Sequence, residues 1–322
     1  MKRLLKVLCW SIAVLSFRGA GNGFAADHYD LDRIRVFYET EGVAAVKQAD
    51  LDQNGVPDQV DDIARQVWAT HDLFCGSLGF VDPFKCERYP NIKWIEVHIR
   101  DRDSLKNRGG VAYSNYSKAQ ALPGAESSGR VLKMSIASDV DAVKSITPGH
   151  EMFHLIQYST THFKNAWFLE GLARWSEHAL NREGLGEFKY SPRGPWPQRR
   201  SDLPQLFEMK YDAEFVLWNP IARATDQQGV LTKMQVSDRL KKLKYTDGSP
   251  VLKDAELVGW PVIRDVLEEL AKSDDIAFRE LGYGDWTEIN MTSAGNDEYI
   301  YKSVMDALRK YGPVSAFRIR KR

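Results

Sequence analysis

The chain has 322 residues, and its 44 lysines and arginines balance 44 aspartates and glutamates, so the formal net charge is zero. Hydrophobic residues make up 43% and charged residues 27%, an ordinary globular composition that argues against wholesale disorder, collagen and coiled coil. The length suits one large domain or two small ones with a sizeable core. A balanced charge gives no reason to expect nucleic acid or an anionic membrane as the main partner.

Residues 1–26 are predicted to be a secretory signal peptide. Lys2, Arg3 and Lys6 form a basic start, and the apolar run at 7–17 is too short for a relaxed membrane span. Small residues follow near position 25 as cleavage sites. An uncleaved anchor is the alternative. No later stretch approaches 18 apolar residues, so we expect a secreted or periplasmic protein without stable membrane insertion.

The pattern beyond the signal predicts an α+β protein with two lobes. Alternating hydrophobic residues predict strands at 33–39, 92–99, 109–116 and 131–136. Helical spacing predicts a helix at 60–78 and others near 147–161, 166–181, 212–224, 260–272 and 296–311. We therefore expect a β-containing lobe at 27–146 and a helical lobe at 147–322.

Two cysteines remain in the predicted mature chain, Cys75 and Cys86, with ten residues between them. In an oxidising compartment such a pair can form a disulfide bond. Two buried free thiols are the alternative. A metal site is not expected there, because no cluster of cysteines and histidines surrounds them in the sequence.

The most informative segment is the HEMFH sequence at 150–154. On a helix, positions i and i+4 share one face, so His150 and His154 can converge on one zinc ion at about 2.0–2.1 Å each. Glu151 could then reach a water molecule without binding the metal, as a general base must. Pro148 either starts this helix or kinks a longer one. A helix that carries two histidines by chance is the alternative.

A hydrolytic zinc site needs a third protein ligand and an open position. Glu170 is the lone acid in the first turns of the predicted helix at 166–181, among apolar neighbours. A carboxylate there is costly to bury unless it is paired or binds a metal. The short connection after His154 could bring Glu170 to the histidines, and a solvated helix residue is the alternative. Glu177 is either an acceptor for a histidine N–H or a surface residue.

HExxH followed some sixteen residues later by Trp-Phe-Leu-Glu-Gly-Leu-Ala resembles the glutamate-zincin metallopeptidases, such as the thermolysin and aminopeptidase N groups. Those aminopeptidases carry a similar Trp-x-x-Glu-Gly-x-Ala segment around the third zinc ligand. The resemblance implies that His150, His154 and Glu170 bind zinc and that Glu151 is the base. It also implies a zincin-like fold with the HExxH helix at a cleft, and peptide-bond hydrolysis by a zinc-activated water.

In that mechanism Glu151 takes the proton of the attacking water and passes a proton to the leaving amine. A further donor usually helps to hold the oxyanion. The candidates are Tyr211, Tyr190, His178 and His162. Tyr211 is preferred, because it opens a later predicted helix expected to pack across the cleft. A tyrosine with a packing role only is the alternative. The strand at 131–136 is expected to offer its edge to the substrate.

The segment at 50–61 reads DLDQNGVPDQVD and is typical of a calcium-binding loop. Gly55 stands where such a loop turns sharply, and Pro57 departs from the standard EF-hand. Oxygen ligands fall at loop positions 1, 3, 5, 7 (a carbonyl), 9 and 12, which are Asp50, Asp52, Asn54, Val56, Asp58 and Asp61. Asp62 could replace Asp61. An Asx-rich turn that caps the helix from Val60 is the alternative. We expect calcium to be structural.

The rest of the chain resembles exported bacterial proteins that are regarded as metallopeptidases and carry an Asp-rich segment early in the mature chain. The specific match covers about 30 residues around the metal motif and about 12 around the acidic segment. The sequence therefore predicts an exported zinc metallopeptidase acting on peptides or proteins. Two other functions remain open. One is a binding or adhesion protein that keeps the scaffold and the calcium loop without peptidase activity, and the other is a zinc hydrolase with a non-peptide substrate.

Overall fold

The structure is a computed structural model that describes residues 27–120, 122, 129–180, 188–228, 230 and 232–312. The predicted signal peptide lies outside the described residues. Within them the protein combines a mixed β-sheet with α-helices, which confirms the α+β class. Every described strand precedes Thr147, and most described helices follow it. The division into lobes at this point stays a prediction.

The described sheet has six strands in the order β1-β2-β3-β6-β4, and β5 also pairs with β6. Strands β2, β3 and β6 are mutually parallel, whereas β1, β4 and β5 pair in antiparallel fashion. The strands are β1 (Asp27–Leu31), β2 (Ile34–Tyr38), β3 (Ile92–Arg100), β4 (Gly110–Ala112), β5 (Ser117–Lys118) and β6 (Arg130–Ala137). The sequence analysis missed β1 and predicted β4 as a longer strand.

Strand β6 is internal, so the expectation that it offers its edge to a substrate is wrong. It lies between β3 on one side and β4 and β5 on the other. Leu132, Met134 and Ile136 are fully buried, as is usual for a strand with neighbours on both edges. The short strand β4 forms the edge at this end of the sheet.

Most described helices follow the sheet strands in the chain. Two π-helical turns interrupt the regular pattern, at Asp72–Ser77 and at Glu214–Trp218, inside segments predicted as continuous helix. The α-helices are α1 (Asp58–His71), α2 (Thr147–Thr160), α3 (Ala166–Ser176), α4 (Leu203–Phe207), α5 (Asn219–Thr225), α6 (Asp238–Lys242), α7 (Trp260–Glu280), α8 (Glu288–Met291) and α9 (Asp297–Leu308). None of these described helices is long and apolar enough to cross a membrane.

Helix α2 lies at the centre of one cluster of buried apolar side chains drawn from both halves of the chain. Met152, Phe153, Leu155 and Ile156 on α2 have no exposed surface. The helix packs against α1, α3 and β4. A helix enclosed in this way holds its polar side chains in fixed positions, which a metal or catalytic site needs.

Candidate metal centre

The start of α2 is fixed by close contact with α1. The Gly149 amide donates a hydrogen bond to the Gln66 side-chain oxygen at 2.9 Å. A Cβ at Gly149 would lie 2.5 Å from Leu180 Cδ1 and 3.0 Å from Thr70 Oγ1 on α1, so a larger residue would require these side chains to shift. Pro148 lies in the first turn of α2 and does not kink a longer helix.

The two histidines of α2 lie side by side, with ring centroids 4.6 Å apart. His150 Nδ1 is 2.9 Å from Glu177 Oε1, and His154 Nδ1 is 2.8 Å from Gln157 Oε1. An acceptor at Nδ1 selects the neutral tautomer whose Nε2 is free to bind a metal. Glu177 is buried and contacts His150, which agrees with its predicted role as a histidine partner. The alternative of a surface residue is excluded.

The turn between α2 and α3 brings Glu170 to the histidine pair. Its Oε2 lies 3.2 Å from His150 Nε2 and 3.5 Å from His154 Nε2. These three residues form the His–His–Glu cluster, whose ligand atoms lie within 4.8 Å of one another and could hold a metal ion. The sequence analysis predicted this set of three residues, and the structure brings it together.

Carboxylates around the His–His–Glu cluster favour a positive charge within it. Burial on its own lowers the pKa of His150, but hydrogen bonds to Glu170 and Glu177 and the charge of Glu151 raise that pKa to about 10. Burial opposes ionisation of Glu170, yet its hydrogen bonds to the two histidines hold its pKa well below the ordinary value. A proton or a metal cation at the imidazole nitrogens would supply the positive charge that these carboxylates stabilise.

Glu151 is buried beside the cluster and faces strand β4. Burial raises the pKa of its carboxyl group, while the nearby His154 and His150 and the backbone amide of Ala112 act to lower it. A Cβ at Gly110 would lie only 2.6 Å from Glu151 Cγ, so this position in β4 requires glycine. The close approach of β4 therefore fixes the Glu151 carboxylate at the cluster.

Strand β4 leaves part of its backbone unpaired with the sheet. The Gly109 carbonyl accepts from the Ala137 amide, and the Tyr113 amide donates to the Lys133 carbonyl. In an antiparallel pair these bonds alternate along the strand, so the main-chain groups of the residues at 110 and 112 point away from β6. They border a cavity of about 1100 Å³ that also contains the cluster. An extended chain could pair with this edge.

Tyr211, the preferred oxyanion donor, lines the same cavity. It is half-exposed and lies in the turn just before the π-helical segment at 214–218, at the start of the helix that it was predicted to open. The adjacent Lys210 Nζ lies 3.3 Å from Glu170 Oε1 and 4.5 Å from the centre of the Tyr211 ring. Tyr211 is therefore near the cluster, and its role as an oxyanion donor stays a prediction.

The other three oxyanion candidates have different surroundings. His178 pairs with Glu214 at 2.8 Å, and His162 stacks on Trp286 at a centroid distance of 4.9 Å. Neither these two histidines nor Tyr190 is among the described residues that line the cavity.

Tyr158 is a cavity residue that the sequence analysis missed. It lies one helical turn after His154 on α2, and the two rings stack with centroids 5.9 Å apart. The ring is largely buried but borders the cavity. Its i+4 spacing from His154 was the signal that could have identified it.

The acidic loop at 50–61 brings together half of its predicted calcium ligands. Asp50, Asp52 and Asp58 each offer an oxygen to a group that could hold a cation. The two Asp50 oxygens accept hydrogen bonds from the backbone amides of Asn54 and Gly55 at 3.1 and 2.9 Å. The Asx-rich turn of the alternative is present, since the side chains of Asp52 and Asn54 each accept from the amide two residues later, but no side chain caps the start of α1. Calcium binding itself stays a prediction.

The remaining predicted ligands have other partners. Asp61 is fully buried and forms an ion pair with Arg65 at 2.5 Å, and it also accepts from the Asn54 amide group at 2.9 Å. The Asn54 side-chain oxygen accepts from the Val56 amide at 2.8 Å. Asp62, the proposed substitute for Asp61, instead binds the backbone and hydroxyl of Thr246.

Cys75 and Cys86 are free cysteines, so the predicted disulfide bond is not present. Cys75 lies in the π-helical turn at 72–77, and its Sγ is 3.5 Å from the Val81 carbonyl oxygen. The Cys86 Sγ points to a different carbonyl, that of Pro83, at 3.9 Å. The local backbone thus directs the two thiols to separate acceptors.

Cys75 belongs to a third group that could hold a metal, with His71 and Asp82. His71 Nε2 lies 3.0 Å from Asp82 Oδ1. The sequence analysis did not expect a metal here, because Asp82 is not a residue that cysteine and histidine spacing reveals. Burial raises the pKa of the Cys75 thiol well above its ordinary value, which disfavours the thiolate that metals bind.

No protein-family model, curated protein or solved structure matches this chain. The function has to be inferred from the His–His–Glu cluster, from Glu151 and from the cavity around them.

Proposed function

We propose that the protein is a zinc-dependent metallopeptidase of the glutamate-zincin type. His150, His154 and Glu170 are the proposed zinc ligands, and Glu151 is the proposed general base. The observation that carries this proposal is the convergence of both histidine Nε2 atoms on one Glu170 oxygen, at 3.2 and 3.5 Å.

Zinc fits this donor set. Two imidazoles and one carboxylate, with a fourth position open, are the ligands of a common class of catalytic zinc site. Ligands at about 2.0–2.1 Å from a tetrahedral ion lie roughly 3.3 Å from one another. The distances from Glu170 to His150 and His154 lie on either side of that value. Glu177 and Gln157 hold the two rings in the tautomer that zinc needs.

The residues around the cluster supply the steps of peptide hydrolysis. Bound zinc would lower the pKa of a water ligand towards about 7 and polarise the substrate carbonyl. Glu151 accepts the proton of the attacking water and delivers a proton to the leaving amine. The close approach of Gly110 in β4 holds this carboxylate beside the cluster.

The free edge of β4 supports a peptide as the substrate. Gly110 and the Ala112 carbonyl direct main-chain groups into the cavity, while the Ala112 amide is already engaged by Glu151. An extended peptide can pair with the remaining groups of this edge. In that arrangement a peptide bond would lie between β4 and the cluster. Tyr211 is the proposed donor to the oxyanion, because its phenol group lines the cavity next to Lys210.

The finer predictions made from the sequence remain part of this proposal. They are a zincin-like pair of lobes with the cleft between them, export to the periplasm or the extracellular space, and a structural Ca²⁺ ion in the acidic loop. The group of Asp50, Asp52 and Asp58 supports the last of these.

The test is cleavage of casein and of a quenched-fluorescence peptide library by the purified mature chain. We expect about one zinc per chain, cleavage that a chelator abolishes, and recovery when zinc is added back. A zinc-loaded protein that cleaves no peptide would contradict the proposal. A binding protein on the same scaffold or a zinc hydrolase with a non-peptide substrate would then be favoured.

A further inference from the structure

Cationic side chains dominate the cavity wall outside the metal centre. Four carboxylates line the described wall, but Glu151, Glu170 and Glu177 all lie at the histidine pair. The fourth, Glu288, pairs with Lys164 at 2.5 Å. The cationic side chains on the same described wall are Arg108, Lys133, Lys164, Arg174 and Lys210.

Arg108 is the least neutralised of these cations. Its side chain is exposed, and no described carboxylate lies within 4.0 Å of it. Lys133 is less free, because its Nζ lies 3.5 Å from the buried Glu96. The described wall carries five cationic side chains against four carboxylates, and the chain as a whole has no net charge, so a small excess of positive charge is local to the cavity. A concave wall of one sign concentrates ligands of the opposite sign.

The cations lie at both ends of the free edge of β4. Arg108 comes directly before the glycine pair that leads into the strand, and Lys133 pairs with Tyr113 just beyond its end. On the opposite wall, Arg174 follows Glu170 by one turn of α3 and lies 3.5 Å from both Glu177 and Glu214. Lys210 contacts Glu170, and both cationic side chains are more than two-fifths exposed. An extended peptide along β4 would therefore meet positive charge on each side of the bond next to the cluster.

We propose that the cavity selects peptides with acidic side chains on both sides of the scissile bond. This inference rests on the proposed peptidase function. Arg108 and Lys133 would contact these carboxylates near β4, and Arg174 and Lys210 would do so from the opposite wall. Each exposed ion pair between the cavity and the peptide contributes up to about fivefold in affinity. Several such pairs together give a preference of about tenfold or more for acidic over neutral peptides.

The experiment compares matched peptides that differ only in having Asp and Glu, Asn and Gln, or Lys and Arg around the same cleavable bond. We expect kcat/KM to be about tenfold higher for the acidic than for the neutral peptide and lowest for the basic one. The advantage should shrink when the salt concentration is raised, because exposed charges are screened.

The variant Arg108→Glu reverses one charge of the wall and Lys133→Gln removes a second, and neither residue contacts the metal centre. Each should reduce the ratio of kcat/KM for the acidic peptide to kcat/KM for the neutral peptide by about fivefold. Arg279→Glu is the matched control, because Arg279 is an exposed arginine on α7, outside the cavity and without a described carboxylate within 4.0 Å. It should behave like the wild type.

The outcomes separate this inference from the proposed function. Chelator-sensitive cleavage that is equal for acidic and neutral peptides overturns the inference and leaves the peptidase function intact. If no peptide is cleaved, the peptidase function fails, and fluorescence anisotropy of labelled peptides with the zinc-loaded Glu151→Gln variant decides the inference. Tighter, salt-sensitive binding of the acidic peptide supports it, and equal binding of all three peptides overturns it.

Discussion

The His–His–Glu cluster and the acidic loop were both predicted from the spacing of metal ligands, but their surroundings in the fold differ. In the cluster, three ligand atoms point at one another, and Lys210 contacts only the outer oxygen of Glu170. In the loop, Arg65 already pairs with Asp61 and with Asp52, at 2.5 and 3.0 Å. Spacing therefore identifies candidate ligands, and the neighbouring residues decide how strongly a cation is needed.

The His–His–Glu cluster and the acidic loop also differ in rigidity. The ligands of the cluster stand on two packed α-helices, and buried Glu177 and Gln157 orient both histidine rings. Of the three grouped loop ligands, Asp50 and Asp52 stand on irregular backbone, and Asp58 is the first residue of α1. Amide groups of the loop already satisfy Asp50. A preorganised site loses less conformational freedom on binding a metal. We therefore expect the cluster to bind its metal more tightly than the loop.

The largest expected effect is the loss of a ligand in the cluster. His154→Ala removes one of three zinc ligands, so the purified protein should lose its zinc and its cleavage rate should fall by about a thousandfold or more. Metal analysis and the peptide assay measure both. His178→Ala is the control, because His178 pairs with Glu214 away from the cluster. Full zinc content in His154→Ala would show that the cluster is not the zinc site.

The next effect comes from strand β4. In Gly110→Ala the added Cβ would lie 2.6 Å from Glu151 Cγ and displace the proposed base. We expect kcat to fall by about a hundredfold while zinc content is retained, since small misplacements of a catalytic group are costly. In the control Gly109→Ala the nearest atom, Thr147 Oγ1, is 3.3 Å away. Wild-type kcat for Gly110→Ala would contradict the role given to Glu151.

A smaller effect is expected from the acceptor of His150. Glu177→Gln keeps the shape of the side chain but removes its charge, so zinc affinity should fall by about 10- to 100-fold. Competition with a fluorescent zinc chelator measures this change. Glu214→Gln removes a histidine partner of the same kind outside the cluster and should leave the affinity as it is. An unchanged affinity in Glu177→Gln would mean that this contact only packs the helices.

Calcium at the acidic loop should have the smallest effect. Weak extracellular calcium sites have a Kd of about 10⁻⁴–10⁻³ M. At about 10 mM calcium, binding to such a site would raise the free energy of unfolding by about 1–3 kcal/mol. Because Arg65 already pairs with Asp52 and Asp61, we expect a stabilisation at the lower end of this range. Chemical denaturation with and without calcium measures the difference, and Asp50→Asn should abolish it while Asp103→Asn, on an exposed turn, should not. Equal stabilisation of Asp50→Asn and the wild type would place calcium elsewhere.

The sequence predicted the metal-centre helices well because strong periodicity and ligand spacing coincide there. His150, His154, Glu151 and Glu170 needed only a short turn between two helices to meet. The edge strand was assigned to β6 instead of β4, because strand order depends on long-range pairing that local patterns do not contain.

The direction in which a side chain points is a second property that the spacing of residues in the sequence does not determine. The disulfide prediction counted the residues between Cys75 and Cys86, but the π-helical turn around Cys75 directs its thiol to a backbone carbonyl. Asp61 fitted the spacing of a calcium ligand, yet one helical turn later Arg65 supplies it with a charged partner. Both outcomes depend on rotamers and local backbone geometry, which sequence spacing does not fix.

The central claim is that a zinc-bearing protein hydrolyses peptides with Glu151 as its base. The most direct measurement is the zinc content and the cleavage rate of Glu151→Gln beside the wild type in one preparation. We predict about one zinc per chain in both proteins and a rate at least about a thousandfold lower in the variant. A zinc-loaded Glu151→Gln protein that cleaves peptides at a rate close to that of the wild type would contradict the claim.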